Sequence, residues 1–318
     1  MKISSFFKLV EIQTKVASVL PFLTGVAFCY YRYREFDLLR LGLFFLSMLC
    51  VDMATTTINN YWDYKKAILK EGFNYESHNA IVRDRLTEKQ VILTIGILLV
   101  IGALFGFALF LLTDWVVLVI GILAFGVGVL YSYGPIPISH TPLGEVVSGT
   151  MMGGLIFFIT NYIQIFERGY INYYMEYMTF HLAINMKEII IIIFIAAPLI
   201  FLIANIMLAN NICDMEDDLI NRRYTLPAYI GKNNAIHLFV LLVGLSYFSM
   251  LIGIIMKWLP ISTLLVFLTI FPVYKGVKEF LKEQNKAKTF VVSVKNFVVI
   301  SGSYVASIFL SIIVSMLA

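Results

Sequence analysis

Residues 38–63, LLRLGLFFLSMLCVDMATTTINNYWD, join a long apolar run to a short polar end. The run is about 20 residues long, which is the length an α-helix needs to cross a hydrocarbon layer of about 30 Å. A second long run ends in the same way, because residues 210–214 read NNICD where residues 59–63 read NNYWD. Each polar end lies where a bilayer should give way to water. The two segments therefore predict membrane helices whose tips carry amides and a carboxylate.

The whole chain has the composition of a membrane protein. Its 318 residues are 60% hydrophobic and 14% charged, with a mean hydropathy of +0.85, whereas soluble domains carry about 25% charged residues. Backbone groups in lipid must be paired within helices or a closed barrel, and long continuous apolar runs favour helices. We predict an all-α, polytopic membrane protein, one domain over residues 1–318, with about nine transmembrane helices around a central cavity. The predicted spans are about residues 16–31, 38–58, 91–112, 115–133, 143–166, 188–208, 234–256, 258–277 and 296–317.

The basic residues indicate how the chain is oriented. With nine spans, most of the 24 Lys and Arg residues fall on the side of the N-terminus, and basic residues near span ends mark the cytoplasmic face. We therefore expect a cytoplasmic N-terminus, an outer C-terminus and both polar tips on the cytoplasmic side. The net charge of +4 needs no nucleic acid as partner, because such lysines lie against anionic lipid headgroups. The aromatic stretch around residues 167–187 should lie at the outer interface, and the basic stretch 275–295 should touch headgroups.

The first tip presents a row of polar side chains. Asp52, Thr56, Asn59 and Asp63 fall at i, i+4, i+7 and i+11, which places them on one helical face. Asp52 lies a turn or more below the interface, where a charge is costly unless it is paired or hydrated. The row is either a hydrogen-bonded contact between helices or the wall of a polar cavity.

The second tip brings like charges together. Asp214 and Asp218 are four residues apart, with Asn211 beside them, and like charges at that spacing destabilise a helix. A divalent cation removes the repulsion, and carboxylate and amide oxygens favour Mg²⁺. The four His residues are scattered without metal-ligand spacing. The acids are either solvated at a helix end or, with the first tip on the same membrane face, part of a metal site.

Basic residues follow both tips. Together with bound Mg²⁺ they would neutralise a pyrophosphate group, while the apolar helices accommodate a lipid tail. The pattern thus points to a substrate that is a diphosphate at one end and a lipid at the other. These basic residues are Lys65, Lys66 and Arg83 after the first tip, and Arg222, Arg223 and Lys232 after the second.

The same stretches resemble a known family. Asn59 and Asp63 match the start of an Asn-Asp-x-x-Asp motif, and Asp214 and Asp218 match Asp-x-x-x-Asp. Three further stretches fit: NAIVR ending at Arg83, YSYGPIPISHTPLGE at 131–145, and NNICDMEDDLINRRYTLPAYIGKNNA at 210–235. Over nearly its whole length the chain resembles the UbiA-type intramembrane aromatic prenyltransferases. It is most similar to the branch that prenylates 1,4-dihydroxy-2-naphthoate in menaquinone synthesis.

The resemblance implies an enzyme of the bacterial cell membrane that uses Mg²⁺, a polyprenyl diphosphate and an aromatic acceptor. It implies that the acceptor loses CO₂ as it is prenylated to demethylmenaquinone. The implied metal ligands, which are also catalytic, are Asn59, Asp63, Asp214 and Asp218, and Tyr131 stabilises the allylic cation or orients the acceptor. The implied substrate-binding residues are Lys66, Arg83, Arg223, Asn211, Asp52 and Lys15, the last two toward the acceptor.

The chain departs from the family pattern in its first motif. Asn60 stands where the motif has Asp, and Ala67 and Leu69 stand where a later acid is expected, with Glu71 just beyond as a substitute ligand. Three alternatives therefore stay open: the same chemistry on 4-hydroxybenzoate or haem, an inactive relative, and a transporter that binds an ion at the midplane. Acids gathered at one membrane face, rather than along a path through both, speak against the transporter.

Overall fold

The computed structural model describes residues 1–66 and 79–317 and shows a bundle of long helices. In chain order the α-helices are α1 (Ile3–Leu9), α2 (Val16–Tyr33), α3 (Leu38–Lys66), α4 (Ala80–Arg83), α5 (Glu88–Leu111), α6 (Trp115–Ser132), α7 (Gly144–Ser148), α8 (Ile156–Ile165), α9 (Met186–Cys213), α10 (Met215–Ile220), α11 (Leu226–Ile230), α12 (Lys232–Ile255), α13 (Ile270–Lys282) and α14 (Phe290–Leu317). A π-helix, Gly149–Leu155, joins α7 to α8, and 3₁₀ helices cover Ile12–Lys15, Ile138–His140, Phe166–Arg168 and Ile261–Thr269. Two strands, β1 (Ile171–Glu176) and β2 (Thr179–Ile184), form an antiparallel hairpin.

The predicted spans agree with the helices of the structure. In the part of the chain that the structure describes, eight segments are long and apolar enough to cross a membrane. These eight coincide with eight of the predicted spans, so the all-helical, polytopic membrane fold is confirmed. The segments are Ile12–Tyr33, Leu38–Lys66, Glu88–Leu111, Trp115–Ser132, Gly144–Arg168, Met186–Cys213, Lys232–Ile255 and Phe290–Leu317.

The remaining predicted span, residues 258–277, is built differently from the others. It consists of the 3₁₀ helix Ile261–Thr269 followed by α13, whose last turns carry charged residues. Nine 3₁₀ residues and thirteen α-helical residues rise by about 38 Å. At the start of the segment, Trp258 packs on Phe194 near the beginning of α9, with ring centroids 5.5 Å apart. Beyond its end, Lys286 contacts Asp214 at the other end of α9. The segment therefore runs along α9 from about Phe194 to the acidic tip.

The end of the bundle opposite the two acidic tips, called the far end below, is closed by ion pairs and by the hairpin. Arg32 pairs with Glu188 at 2.9 Å and ties α2 to the start of α9. The hairpin lies in the aromatic stretch around residues 167–187, for which the sequence indicates no strands, and the structure forms strands β1 and β2 there. Their turn residues Tyr177 and Met178 both have positive φ, 44° and 64°, which suits a tight hairpin. Such turns favour Asn and Gly, so this turn carries no sequence signal.

Helix α9 lies at the centre of the packing and positions the second tip. The π-helix Gly149–Leu155 approaches α9 so closely that a methyl group added at Gly153 would lie 2.6 Å from the backbone nitrogen of Ile200. At Gly149 the added methyl would lie 2.6 Å from the Ile200 carbonyl oxygen. Only glycine permits this approach, because any Cβ would meet backbone atoms that cannot turn aside. The contact fixes the π-helix, and α7 directly before it, against α9.

Candidate active site

Arg223 joins the two acidic tips. Its guanidinium donates to the carboxylate of Asp63 at the end of α3, and its backbone N–H donates to the carbonyl of Asp218 at 2.8 Å. The adjacent Tyr224 N–H donates to the His140 carbonyl at 3.1 Å. This hydrogen bond places the 3₁₀ helix Ile138–His140 beside the two tips. The two tips therefore lie at the same end of the bundle and face one another.

The first tip keeps its amide and carboxylate together. Asn59 and Asp63 are one helical turn apart, and the Asn59 amide donates to Asp63 at 3.4 Å. The Ser132 hydroxyl, at the end of α6, donates to the Asn59 carbonyl oxygen at 3.1 Å. Lys66 lies 4.9 Å from the ring centroid of Trp62 and donates to the backbone at residue 134. The side-chain oxygens of Asn59 and Asp63 are thus held in place beside the cation of Lys66.

The second tip is contacted by a lysine that the sequence pattern placed against lipid headgroups. Lys286 lies between α13 and α14, in the stretch expected to touch lipid headgroups. Its ammonium is 2.5 Å from the Asp214 carboxylate and also donates to the Asn210 side chain. Asn210 in turn donates to Asp214 at 3.3 Å. Nothing local distinguishes Lys286 from the other lysines of its segment, so only the folded chain identifies it.

The two neighbouring acids on α10 have different surroundings. Asp218 is buried and Asp217 is exposed. Burial raises the pKa of the Asp218 carboxyl to about 7; Arg223 and Lys286 oppose this rise, and the carboxylates of Asp214 and Asp63 add to it. These effects place both acidic tips and both cations within electrostatic reach of Asp218.

The pKa of His140 reflects the positive charge of the same region. Burial lowers the pKa of its imidazole to about 4, and the charges of Arg223 and Lys66 contribute to the decrease. His140 is therefore neutral at pH 7. The structure thus brings two of the basic residues predicted to bind a diphosphate, Lys66 and Arg223, within electrostatic reach of His140.

The donor set fits Mg²⁺ in the presence of a phosphate ligand. Among residues 1–66 and 79–317, no group of three or more His, Cys, Asp or Glu side chains forms a ready-made metal cage. Mg²⁺ is usually held by one or two carboxylates, with substrate phosphates and water completing its shell. Asp63 and Asp214 are each neutralised by one cation, and Asp218 is buried beside them. Asn59, Asp63, Asp214 and Asp218 are thus oxygen donors suited to an ion that arrives with a diphosphate.

Two residues expected to contact the acceptor form a closed pair with each other. The Lys15 ammonium lies 2.6 Å from the Asp52 carboxylate and 2.6 Å from the Thr56 hydroxyl. The second carboxylate oxygen of Asp52 accepts from Ser18 at 2.6 Å. This arrangement corresponds to the hydrogen-bonded helix contact that the sequence left open, and it fastens the start of α2 to α3.

Asn60, the departure from the family motif, has a structural explanation. Its buried amide donates to the Leu9 carbonyl and to the Glu11 carboxylate, both at 3.1 Å. An aspartate here would place a carboxylate against two acceptors, so asparagine suits the local packing. The later positions of this motif, Ala67 and Leu69, and the substitute ligand Glu71 lie outside the described residues.

The remaining predicted residues lie at the same end of the bundle. Arg83 Nε lies 3.5 Å from the carboxylate of its neighbour Asp84. The Tyr131 hydroxyl donates to the Gly144 carbonyl at 3.5 Å. The Asn211 amide donates to Glu145 at 2.8 Å, and both side chains are buried. The sequence pattern gave Glu145 no role, although an acid at the start of an apolar run is a signal that could have identified it.

Comparison with known proteins finds relatives over most of the chain. Residues 18–299 match the UbiA prenyltransferase family. A 1,4-dihydroxy-2-naphthoate octaprenyltransferase from Bacillus subtilis (strain 168) is 29% identical over 282 residues, covering 87% of this chain and 82% of the relative.

Solved structures share the fold. A UbiA homolog from Aeropyrum pernix K1, in its apo form, superposes with a TM-score of 0.68 at 17% identity. A UbiA homolog from Archaeoglobus fulgidus bound to GPP and Mg²⁺ gives a TM-score of 0.67 at 17% identity. Each alignment covers 96% of this chain and 98% of the other. The chain therefore belongs to the UbiA prenyltransferase family and is a membrane enzyme that transfers prenyl groups.

Proposed function

We propose that this enzyme uses Mg²⁺ to transfer a polyprenyl group from an isoprenoid diphosphate to 1,4-dihydroxy-2-naphthoate, giving demethylmenaquinol, the reduced form of demethylmenaquinone. The observation that carries the proposal is the bridge made by Arg223 between Asp63 and the backbone of Asp218. It places oxygen donors from two helix tips around one region that also contains Lys66 and a neutral His140. A metal-bound diphosphate needs this combination of oxygen ligands and cations.

The residues divide into roles around the diphosphate. Asn59, Asp63, Asp214 and Asp218 hold Mg²⁺, which when bound supplies positive charge to the departing pyrophosphate. Basic residues bind the phosphate oxygens that the metal leaves free. These residues are Lys66, Arg83, Arg223 and, as an addition from the structure, Lys286. Asn211 positions the second tip from the side away from the diphosphate.

The apolar helices protect the reactive prenyl group. As the allylic C–O bond breaks, positive charge develops on the prenyl carbon, and water must be excluded to prevent hydrolysis. The half-buried ring of Tyr131 stabilises this charge or orients the acceptor. Lys15 and Asp52 act one step away from the substrate, by fixing α2 on α3 through their ion pair.

The choice of acceptor rests on the sequence relative. The Bacillus subtilis protein is named for its naphthoate acceptor, and the match extends over 87% of this chain. The UbiA homolog from Archaeoglobus fulgidus bound to GPP and Mg²⁺ supports the donor and metal in the same way. 4-Hydroxybenzoate and haem are the competing acceptors for the same site.

The proposed enzyme is a single domain of the bacterial cell membrane. The basic residues favour a cytoplasmic N-terminus and an active-site end that faces the cytoplasm, with the far end and the C-terminus outside. A soluble naphthoate would then reach the site from the cytoplasm, while the polyprenyl chain stays in the bilayer.

Purified protein in detergent provides the test. With Mg²⁺, a polyprenyl diphosphate and the naphthoate, it should release pyrophosphate and form a prenylated product, and EDTA should stop the reaction. 4-Hydroxybenzoate in place of the naphthoate should give little product. Prenyl transfer that is indifferent to EDTA would refute the metal role, and faster turnover of 4-hydroxybenzoate would refute the acceptor.

Two neighbouring acids give a matched pair of variants. Asp218→Asn should reduce turnover by about 100-fold or more, because it removes a buried metal-binding carboxylate. Asp217→Asn alters an exposed side chain on the same helix and should leave turnover unchanged. Equal activities of the two variants would contradict the assignment of Asp218.

A further inference from the structure

Glu145 has a buried carboxylate, and one of its two oxygens has no hydrogen-bond partner in the described part of the chain. The residue is 3% exposed. Its Oε1 accepts from the Asn211 amide at 2.8 Å, whereas Oε2 is buried and has no hydrogen-bond partner among residues 1–66 and 79–317. Burying an unpartnered polar oxygen is costly, so such an atom calls for a ligand or a special role. Glu145 is therefore a candidate acceptor for a donor that the protein itself does not supply.

The position of Glu145 connects it to both tips. Asn211, its partner, precedes Asp214 by about one turn on α9. On the other side, Tyr131 donates to the carbonyl of Gly144, directly before Glu145. The residue next to Tyr131, Ser132, donates to Asn59 of the first tip. Glu145 thus lies behind the proposed diphosphate site and is linked to each acidic tip through these contacts.

Two more unpartnered groups belong to the segments around Glu145. The hydroxyls of Ser139 and Thr225 are buried and have no hydrogen-bond partner in the described chain. Ser139 lies against Gly144, where an added methyl would be 3.6 Å from the Ser139 Cα. The segment of Thr225 is tied to that of Ser139 by the Tyr224–His140 hydrogen bond. A carboxylate oxygen and two hydroxyls suit a ligand that both donates and accepts, such as a hydroxyaromatic acid.

We propose that Glu145 binds a ring hydroxyl of the aromatic acceptor through Oε2 and takes its proton during prenyl transfer. This inference rests on the proposed function and adds a catalytic residue to it. Asn211 then acts as a positioning residue, because its hydrogen bond to Oε1 directs the free oxygen toward the ligand.

The proton transfer balances within the proposed reaction. The bond between the ring carbon and the allylic carbon forms as the allylic C–O bond breaks and pyrophosphate leaves. The neighbouring ring hydroxyl gives its proton to Glu145 Oε2 and becomes a ketone. When the carboxylate then leaves the attacked carbon as CO₂, the electron pair of the broken bond restores the aromatic ring. The ring oxygen takes its proton back, and Glu145 ends the cycle as a carboxylate.

The test compares Glu145→Gln with Glu167→Gln in detergent, using Mg²⁺, a polyprenyl diphosphate and varied naphthoate. In Glu145→Gln the new amide oxygen can still accept the Asn211 hydrogen bond but the side chain cannot take a proton, so kcat/KM for the acceptor should fall by about 100-fold or more. Binding of the polyprenyl diphosphate and the melting temperature should be unchanged. Glu167 pairs with Arg40 at the far end, and its variant should behave as wild type. Wild-type values of kcat and KM in Glu145→Gln would overturn the proposal.

A second measurement uses the wild-type enzyme and does not depend on the variant folding. Each mono-methyl ether of the naphthoate lacks one ring hydroxyl, and the ether at the position bound by Glu145 should react about 100-fold more slowly. Equal rates for the parent and both ethers would overturn the proposal. Failure of the wild type to prenylate the naphthoate itself would instead refute the proposed function, so the two failures are distinguishable.

Discussion

Replacing Gly153 by alanine should force the π-helix away from α9. The added methyl would lie 2.6 Å from the Ile200 nitrogen, 2.7 Å from the Leu199 carbonyl carbon and 2.8 Å from the Ile200 Cα. Favourable contacts between such atoms need about 3.5 Å, so the segments must separate by roughly 0.8 Å. All three atoms are backbone, and no rotamer change can relieve the contact.

The expected cost follows from this geometry. Overpacking costs about 3 kcal/mol at the upper end of its usual range, and the gain from replacing a helical glycine by alanine is about 1 kcal/mol. The net loss of about 2 kcal/mol should lower the melting temperature by about 4–8 °C. Turnover should fall as well, because the displaced π-helix directly follows α7, and α7 contains Glu145, whose contact with Asn211 spans 2.8 Å.

Thermal unfolding in mild detergent measures the effect. Cys29 and Cys50 are buried, so a fluorogenic maleimide reports the exposure of their thiols as the protein unfolds. Gly121→Ala is the control, since a methyl group there meets nothing within 4 Å, and this variant should melt at or above the wild-type temperature. A Gly153→Ala protein that melts as high as Gly121→Ala would refute the close-packing argument.

Three other substitutions test the polar contacts. Asn60→Asp restores the family motif but removes two donated hydrogen bonds. It should destabilise the protein by about 2 kcal/mol, which thermal melting measures, and it should not tighten Mg²⁺ binding, which calorimetric titration measures. Lys286→Gln frees Asp214 from its ammonium partner and should tighten Mg²⁺ binding to the substrate-free protein by about tenfold. An unchanged Mg²⁺ affinity, measured by EPR in competition with Mn²⁺, would contradict this. Lys15→Met leaves Asp52, whose side chain is 12% exposed, without its counter-charge. The change should cost about 3 kcal/mol, most of it recovered when Asp52 is also replaced by leucine. A single variant as stable as wild type would show that the pair is unimportant.

The membrane fold could be predicted from the sequence because it depends on local properties. Apolar length decides which segments cross a bilayer, and eight predicted spans coincide with helical segments of the structure. The spacing of Asn59 with Asp63, and of Asp214 with Asp218, shows directly which side chains share a helix face. The family resemblance drawn from these residues is confirmed by the match over residues 18–299.

The partners of polar side chains could not be predicted in the same way. Lys15 was expected near the acceptor, yet its ammonium is taken up by Asp52, 37 positions away. Asn60 was seen only as a departure from a motif, and its contacts with Leu9 and Glu11 give the reason for it. The hairpin β1–β2 was likewise missed, because its turn lacks the residues that usually mark one.

The sequence by itself determined that this is a polytopic helical membrane protein with two oxygen-rich tips, since transfer of apolar side chains into lipid depends on composition and length alone. Only the tertiary structure decided that Arg223 joins those tips, that Lys286 neutralises Asp214 and that one oxygen of Glu145 stays unpartnered. Such facts depend on which surfaces the helices bring together, and packing between residues 66 to 160 positions apart leaves no trace in any local pattern.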